Sequence, residues 1–331
     1  MAWGSGKDVL VGIRKAAVWG TAIDVDAGGG IGMIVDNYTW ADNIEDLRDE
    51  GYNNSALARE ITETGRVAPG FTFTVKQKFQ GLELPWALFM GTAGVPSGGG
   101  PYGHVLSVKK DMDGIFFTFA AFDGIKTHEF DSCKFVSASV TSEAGRFVMS
   151  TFTAIARKRT ENSATNPNIT SIAEPAAVDF VQWLNSVKDH QIAAKASSLA
   201  DFESNSVTIN MARAYTLEGA YVDEFIREPE SGAWTGNVSI VRPYEDTTYI
   251  APGAIHKLAW DFEKSASLKF GVFLPSLKVL SPPGPAPTDK GGITQTNNFS
   301  CDTLPTSAPS GFTLTVPTVQ LTNSLSTDPL A

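Results

Sequence analysis

Histidines, cysteines and paired carboxylates are the residues of this chain that could carry out catalysis or hold a metal. The 331-residue sequence contains four histidines and two cysteines. The histidines have neither the HExxH nor the HxH spacing of a metal site. The sequence also lacks a GxSxG nucleophile elbow and a phosphate-binding GxxxxGK[ST] loop. We therefore expect no catalytic site, no metal and no cofactor.

Three short patterns contain residue types found in catalytic or metal sites, but none has the complete set of residues that such a site requires. The segments 127–129 and 189–190 place a carboxylate beside an imidazole, and each is typical of a polar surface cluster. Asp24 and Asp26 begin like a calcium loop, but Gly28 and Val35 occupy two of the ligand positions. Cys133 and Cys301 lie far apart in strand-like segments, so we expect two buried free thiols.

Composition narrows the class of protein. The chain is 42% hydrophobic and 19% charged, which is enough to bury a sizeable core. The formal net charge is -10, and this argues against a surface that grips nucleic acid. It is compatible with a surface that lets nucleic acid pass, because like charges repel. No apolar stretch approaches the roughly 18 residues of a membrane span, so we expect no membrane insertion.

The elements that organise the chain are two strands joined by a tight turn. Residues 130–141 and 146–156 are rich in Val, Phe, Thr and Ile, and the turn between them offers Gly145 for a positive φ. Alternation predicts an apolar core face and a small, hydroxylic outer face. The core face would carry Val136, Ala138 and Val140, and the outer face Phe135, Ser137, Ser139 and Thr141.

Further strand patterns along the chain predict a mainly β fold. We expect an antiparallel β sandwich or barrel of about a dozen strands with one flanking α-helix. Pro175 and the apolar stripe that follows predict that helix over 174–184. The apolar run 82–90 is either a short helix or a buried strand, since periodicity alone does not decide.

The expected domain organisation is a single β domain over residues 1–323, followed by a C-terminal tail over 324–331. Long loops are expected near 24–32, 42–57 and 281–292, where glycine, charge or proline interrupts the strand patterns. The segment 42–57 reads either as a long surface loop or as an extended hairpin. Unstructured stretches of this length are usually functional.

Four segments of the chain have the order and spacing of a known family. They are 11–22 (VGIRKAAVWGTA), 61–75 leading into 82–91, 131–156, and 292–299 with 314–323, which ends in VQLTN. Together they resemble the major tail tube proteins of long-tailed bacteriophages over nearly the whole chain. Ala16 and Ala17 depart from the pattern, because an acidic residue is common there in the family.

The resemblance implies a virion structural protein that is not an enzyme. Its copies would form a homo-oligomeric ring, usually hexameric, in which one sheet of each subunit closes a shared β-barrel around a lumen. Stacked rings would form the tail tube, which a tape-measure protein fills before DNA passes through. Further partners would be the tail terminator and tip proteins. The protein would be made and assembled in the cytoplasm of the bacterial host and would reside in the virion tail.

Under this resemblance two sets of residues become candidate sites. The hydroxylic face would be a lumen lining or ring-closing face, formed by Ser137, Ser139 and Thr141. The acidic segment after residue 41 would be an inter-ring loop, together with the two chain ends. Its residues are Asp42, Glu45, Asp46, Arg48, Asp49 and Glu50.

Two other functions fit a β-rich, acidic chain. One is another ring-forming phage component, either a tail terminator or a head decoration protein, which would form a single ring that does not stack. The other is a carbohydrate-binding β-sandwich module or hydrolase. That function would require exposed tryptophan pairs and a carboxylate dyad in one cleft.

Overall fold

The fold is that of a computed structural model of the chain. The structure describes the ranges 9–48, 62–93, 99–167, 179–185, 188–194, 200–201, 204–220, 223–243, 255–281, 286–287, 293–301, 304–310 and 312–331, together with residues 96 and 169.

The described residues form 22 β-strands and one α-helix. The strands in the first half of the chain are β1 (Leu10–Lys15), β2 (Ile31–Ile34), β3 (Asn37–Ala41), β4 (Ile44–Arg48), β5 (Thr62–Val67), β6 (Gly70–Lys76), β7 (Tyr102–Ser107), β8 (Phe117–Phe122), β9 (Thr127–Glu143), β10 (Met149–Ile155) and β11 (Lys158–Glu161), and the helix is α1 (Glu83–Met90). Those in the second half are β12 (Lys188–Ala194), β13 (Ala200–Asp201), β14 (Ser206–Thr216), β15 (Gly219–Ala220), β16 (Asp223–Ile226), β17 (Glu230–Pro243), β18 (Ile255–Ser265), β19 (Leu268–Ser281), β20 (Ala286–Pro287), β21 (Ile293–Ser300) and β22 (Thr318–Asn323). The prediction of a mainly β protein is confirmed.

The long strand β9 belongs to two sheets. Its first half pairs with β8 and β11, and β8 leads on to β1 and β2. Its second half pairs with β10 and β14. Between the halves Ser132 adopts a positive φ of 51°, where the strand changes direction. Sharing one strand in this way lets the two sheets face each other across a common core.

The larger sheet runs in the order β3-β6-β10-β9-β14-β17-β21, and every pairing in it is antiparallel. Beyond β21 it continues through β19 to β18 and β12, while β22 and β7 pair beside the first half of β19. A separate small sheet contains β4, β5, β16 and β15. The antiparallel sandwich expected from the sequence is therefore present.

Aromatic rings fill the space between the sheets. Phe71 of β6 stacks on Phe119 of β8 with 3.9 Å between ring centroids. Phe73 stacks on Phe152 of β10 at 5.4 Å, and Trp86 of α1 meets Phe152 edge-on at 4.9 Å. Such contacts add to the stability gained from burying the rings. The sheets and the helix consequently share one core.

The apolar run 82–90, for which the sequence allowed either a helix or a strand, forms the helix α1. All eight of its residues are buried, so it has no polar face and its sequence shows no amphipathic period. Gly91 ends it in the left-handed conformation, and its N–H donates to the Ala87 carbonyl at 2.8 Å. Burial raises the pKa of the Glu83 carboxyl, which accepts hydrogen bonds from Asn323 Nδ2 and, at 2.7 Å, from the N–H of Gly81.

The helix predicted over 174–184 is wrong for its described part. Residues 174–178 lie outside the described residues. Phe180 and Gln182 are extended and form bridges with Lys78 and Phe147, and a single 3-10 turn follows at Trp183–Asn185. The backbone groups of residues 179–183 form hydrogen bonds with the segment just after β6 and with the β9–β10 turn, and not with one another as in a helix.

The expected loops and tail have mixed structures. The segment after residue 42 follows the hairpin alternative, because β4 pairs antiparallel with β5; residues 49–61 between them lie outside the described part. The tail after β22 folds back on its own subunit. His104 Nε2 bonds the Leu325 carbonyl at 2.9 Å, Lys15 Nζ donates to the Leu330 carbonyl, and the Leu330 side chain packs on the core.

Candidate functional site

The three hydroxyl residues singled out from the sequence lie side by side on the second half of β9. The β9–β10 hairpin and the positive φ of Gly145 (78°) are confirmed. Ser139 lies opposite Thr151 of β10 and opposite Asn210 of β14. Ser137 and Thr141 share its face of the sheet and, like it, are half-buried.

One assignment to this face is wrong. Phe135 was expected beside Ser137, but it is 1% exposed and packs in the core 5.3 Å from Phe152. The cause is a β-bulge: Thr153 and Ala154 of β10 are consecutive, yet they pair with Ser137 and Phe135. The extra residue, Val136, is only half-buried and leaves the core face. A bulge of one residue exchanges the two faces of a strand.

The hydroxyl residues of β9 form part of a much larger uncharged face, which extends across seven strands from β3 to β21. Paired residues on these strands place the following side chains in adjacent rows: Asn37, Thr39, Thr72, Thr74, Ser137, Ser139, Thr141, Thr151, Thr153, Thr208, Asn210, Thr235, Asn237, Ser239 and Asn298. We call this set the hydroxyl–amide face. Lys76 is the one charged residue in these rows, and Asp36 pairs with it at 3.2 Å.

Side chains of the hydroxyl–amide face bond to one another. The Thr74 and Thr151 hydroxyls are 2.9 Å apart, and those of Thr72 and Thr153 are 3.0 Å apart. Cross-strand pairs of this kind stabilise a sheet and hold short side chains in place. The sequence did reveal this signal strand by strand, as Ser, Thr or Asn at alternate positions, but only the strand order brings the pieces together.

The six residues predicted to form an inter-ring loop divide into three groups. Asp42 forms a two-pronged ion pair with Arg159 of β11, at 2.7 Å to Nε and 2.9 Å to Nη2. The pKa of Arg159 is raised, chiefly by this hydrogen bonding, and its guanidinium stacks 3.9 Å from the Trp40 ring. Glu45, Asp46 and Arg48 lie on β4, where Asp46 and Arg48 pair with Thr64 and Thr62 of β5 and Glu45 lies at a shift in the register. Asp49 and Glu50 lie outside the described residues.

The segment 127–129 is not the surface cluster expected from the sequence. Thr127, His128 and Glu129 are all buried, and β9 is flanked here on both edges by β8 and β11. Both ring nitrogens of His128 are engaged, Nε2 with Asp123 at 3.0 Å and Nδ1 with Arg159 at 3.3 Å. An imidazole held in this way has a structural role.

The neighbouring carboxyl of Asp131 is the most perturbed acid in this region. Burial raises its pKa to about 6, and Glu129 adds to the effect, whereas the Arg157 guanidinium at 3.6 Å opposes it. One carboxyl oxygen, Oδ1, has no hydrogen-bond partner among the described residues. The ionised form is therefore poorly compensated.

The β9–β10 turn carries an exposed apolar patch. Phe147 and Phe180 meet edge-on at 5.6 Å, and Leu184 is 84% exposed. Beside them lies an open cavity of about 520 Å³, lined in part by Met149 and Trp183. We call Phe147, Met149, Phe180, Trp183 and Leu184 the turn patch. Exposed apolar groups that cluster in this way mark surfaces that another protein covers.

Cys133 and Cys301 are both buried thiols rather than members of a disulfide, as predicted. Within the described ranges, no three His, Cys, Asp or Glu side chains come together as metal ligands. No helix in the described part of the chain is long and apolar enough to cross a membrane.

Comparison with known proteins agrees with this geometry. No curated protein sequence matches the chain. A family model described as "Phage tail tube protein" matches residues 6–301, which is nearly the whole chain and includes every strand of the hydroxyl–amide face. The chain therefore belongs to the phage tail tube protein family and is a structural subunit of the phage tail.

Proposed function

We propose that this chain forms hexameric rings that stack into the tail tube, with the hydroxyl–amide face lining the lumen. The observation that carries the proposal is the face itself. It is broad, continuous over seven strands and almost free of charge. Protein surfaces ordinarily carry many Lys, Glu, Asp and Arg side chains, so a face of this width with one charged residue needs a specific cause.

Transport of DNA supplies that cause. Lysine and arginine neutralise phosphates and hold nucleic acid, which would slow its passage. Short Ser, Thr and Asn side chains carry no net charge and do not reach far into a channel. The acidic character of the whole subunit, with net charge -10, further disfavours retention of DNA.

Ring closure requires a free sheet edge, and β3 provides one. Within the described ranges β3 pairs with β6 alone, and four of its five residues are exposed. An unpaired edge strand offers its backbone groups to another chain. Pairing of β3 with a second copy would extend the hydroxyl–amide face around the ring and leave no open edge.

Stacking of rings would use other surfaces. The turn patch lies at the end of the sheet at which Lys76 pairs with Met149. The segment 42–50 begins at the opposite end, where β3 leaves Ala41 beside Gly70. Surfaces at opposite ends can meet head to tail, and contacts of that kind build filaments. The acidic segment keeps its role as an inter-ring candidate.

The remaining parts of the proposal concern partners and organisation. The subunit has no enzymatic role, and residues 1–323 act as one domain, in keeping with the common core of sheets and helix. The tube contains a tape-measure protein before DNA enters and meets terminator and tip proteins at its ends. Assembly takes place in the host cytoplasm. The family match, the net negative charge of the whole subunit and the nearly uncharged hydroxyl–amide face support this arrangement.

Electron microscopy of the purified chain tests the proposal. Hollow tubes of stacked six-fold rings are expected. Single rings that do not stack would favour a tail terminator or decoration protein. A stable monomer at high concentration would contradict ring formation altogether.

A further inference from the structure

A cavity of about 400 Å³ lies beside Arg213 on β14 and Trp234 on β17, which are directly paired across the two strands. Its volume falls within the range of ligand pockets. Val108, Val316 and Pro317 supply apolar walls. We call this cavity the Arg213 pocket.

Arg213 is a buried cation without a matching anion. Its side chain is 3% exposed, and its Nη2 and Nη1 groups donate to the carbonyls of Lys109 at 2.7 Å and Lys110 at 3.3 Å. Its Nε has no hydrogen-bond partner among the described residues. The described lining residues include no carboxylate. A buried charge of this kind is costly unless another group compensates it.

Trp234 gives the pocket a second unsatisfied donor. Its indole Nε1 is buried and has no acceptor in the described part of the chain. The ring is held in place by Gly236, where a Cβ would lie 2.6 Å from the ring and 3.2 Å from Cys301 Cβ. The exposed side chains of Lys109 and Lys110 add positive charge to the lining. The described polar side chains of the pocket therefore favour an acceptor that carries negative charge.

We propose that the Arg213 pocket binds an acidic side chain from a second copy of this chain, as an interface within the assembled tail tube. A carboxylate is the group that a guanidinium binds best in an apolar surrounding, because charge-assisted hydrogen bonds strengthen there. One carboxylate also matches the one buried charge, that of Arg213, because the charges of the exposed Lys109 and Lys110 remain solvated.

The composition of the chain supports a second copy as the source. Asp and Glu number 36 against 26 Lys and Arg, so carboxylates outnumber cations on a neighbouring copy. A concave pocket on one copy and a projecting side chain on the next make a heterologous contact, which suits rings and filaments. This inference rests on the proposed self-assembly for the source of the carboxylate.

The pocket is tested with a short fluorescent peptide and the full-length chain. The probe is an acetylated five-residue peptide with a central glutamate between leucine and valine residues, and its twin has glutamine in place of glutamate. Fluorescence anisotropy is expected to show about tenfold tighter binding of the glutamate peptide, the size expected for one charge-assisted contact. Equal affinities, or no binding of either peptide, would overturn the proposal.

Variants assign the preference to the pocket. Arg213→Met keeps the side-chain volume and should abolish the preference for glutamate, whereas Lys269→Met, which removes a cation paired with Glu263 at 2.8 Å, should preserve it. Trp234→Phe keeps an aromatic ring but removes the indole N–H and should weaken the preference, which provides a second readout if Arg213→Met fails to fold. An unchanged preference in both pocket variants would refute the assignment.

Two further experiments identify the source of the carboxylate and distinguish failure of the pocket proposal from failure of the tube function. Asp302 follows Cys301 in the sequence and lies outside the described residues; if the glutamate preference appears only in Asp302→Asn, the chain fills its own pocket and the proposal fails. If a second copy is the source, excess glutamate peptide should slow tube assembly more than its twin does. Normal tubes from Arg213→Met would refute the pocket while leaving the tube function intact.

Discussion

Ser139 of β9 and Asn210 of β14 lie directly opposite each other at the centre of the hydroxyl–amide face. On the other side of β9, Thr151 of β10 occupies the equivalent position. This row shows that the small polar residues of one strand continue into its neighbours. A charge introduced here would therefore stand alone on a surface that otherwise has almost none.

Ser139→Arg is expected to impair tube assembly or DNA passage. The substitution is on the surface of the isolated subunit, so the free energy of unfolding should change by no more than about 0.5 kcal/mol. An arginine on a lumen wall would hold phosphates, and the infectious titre should fall by about tenfold or more. Ser267→Arg, in the exposed turn after β18, is the matched control. Normal assembly and titre in Ser139→Arg would remove the lumen assignment.

The bulge at Val136 is tested by truncating Phe135 and Val136 in separate variants. Phe135→Ala should lower the free energy of unfolding by about 3–5 kcal/mol, because the ring is buried among other aromatic side chains. Val136→Ala should cost about 1 kcal/mol, since that side chain is only half-buried. Urea titration of the unassembled subunit measures both. A larger loss of stability in Val136→Ala than in Phe135→Ala would contradict the bulge and indicate that β9 alternates regularly.

Alanine substitutions at Gly91 and Gly145 distinguish the stability cost of a positive φ from that of steric crowding. Both have a positive φ, of 88° and 78°. A Cβ at Gly145 would meet open space, so Gly145→Ala should cost about 1 kcal/mol from conformation alone. At Gly91 it would collide with the Met112 side chain and lie 2.9 Å from Lys109 Cβ, so Gly91→Ala should cost about 2–4 kcal/mol. Equal losses in thermal or urea unfolding would contradict the packing around α1.

Asp131 should make the stability of the subunit depend on pH. Its pKa is about 6 in the folded chain against an ordinary value of 3.8, so protonation favours the folded state. The stabilisation is complete below about pH 4 and is lost as pH rises through about 6, by up to about 3 kcal/mol. Asp131→Asn should flatten the unfolding free energy over this range. An unchanged slope in Asp131→Asn would disprove the assignment.

The sequence predicts the strands of this fold better than its helix. Alternation along β9, β10 and β14 is directly visible, and Gly145 marks the turn. The helix α1 shows no period because all its residues are buried. Pro175 is typical of the first turn of a helix, but residues 180 and 182 form isolated backbone bridges with Lys78 and Phe147 instead. Tertiary pairing overrides local propensity in such cases.

The candidate site was found only in part for a similar reason. Ser137, Ser139 and Thr141 are evident within one strand, but their partners come from segments up to about 160 residues away, since Asn298 joins the same face through β17 and β21. The Arg213 pocket is invisible in the sequence, because it depends on carbonyls of Lys109 and Lys110 that only the fold brings to Arg213. The bulge at Val136 leaves no mark in residue types alone.

Helical reconstruction of the purified protein by cryo-electron microscopy tests the central claim most directly. The account predicts a hollow tube of stacked six-fold rings in which Ser139 and Asn210 line the channel. A tube with these residues on its outer surface, or a protein that remains monomeric at high concentration, would contradict it.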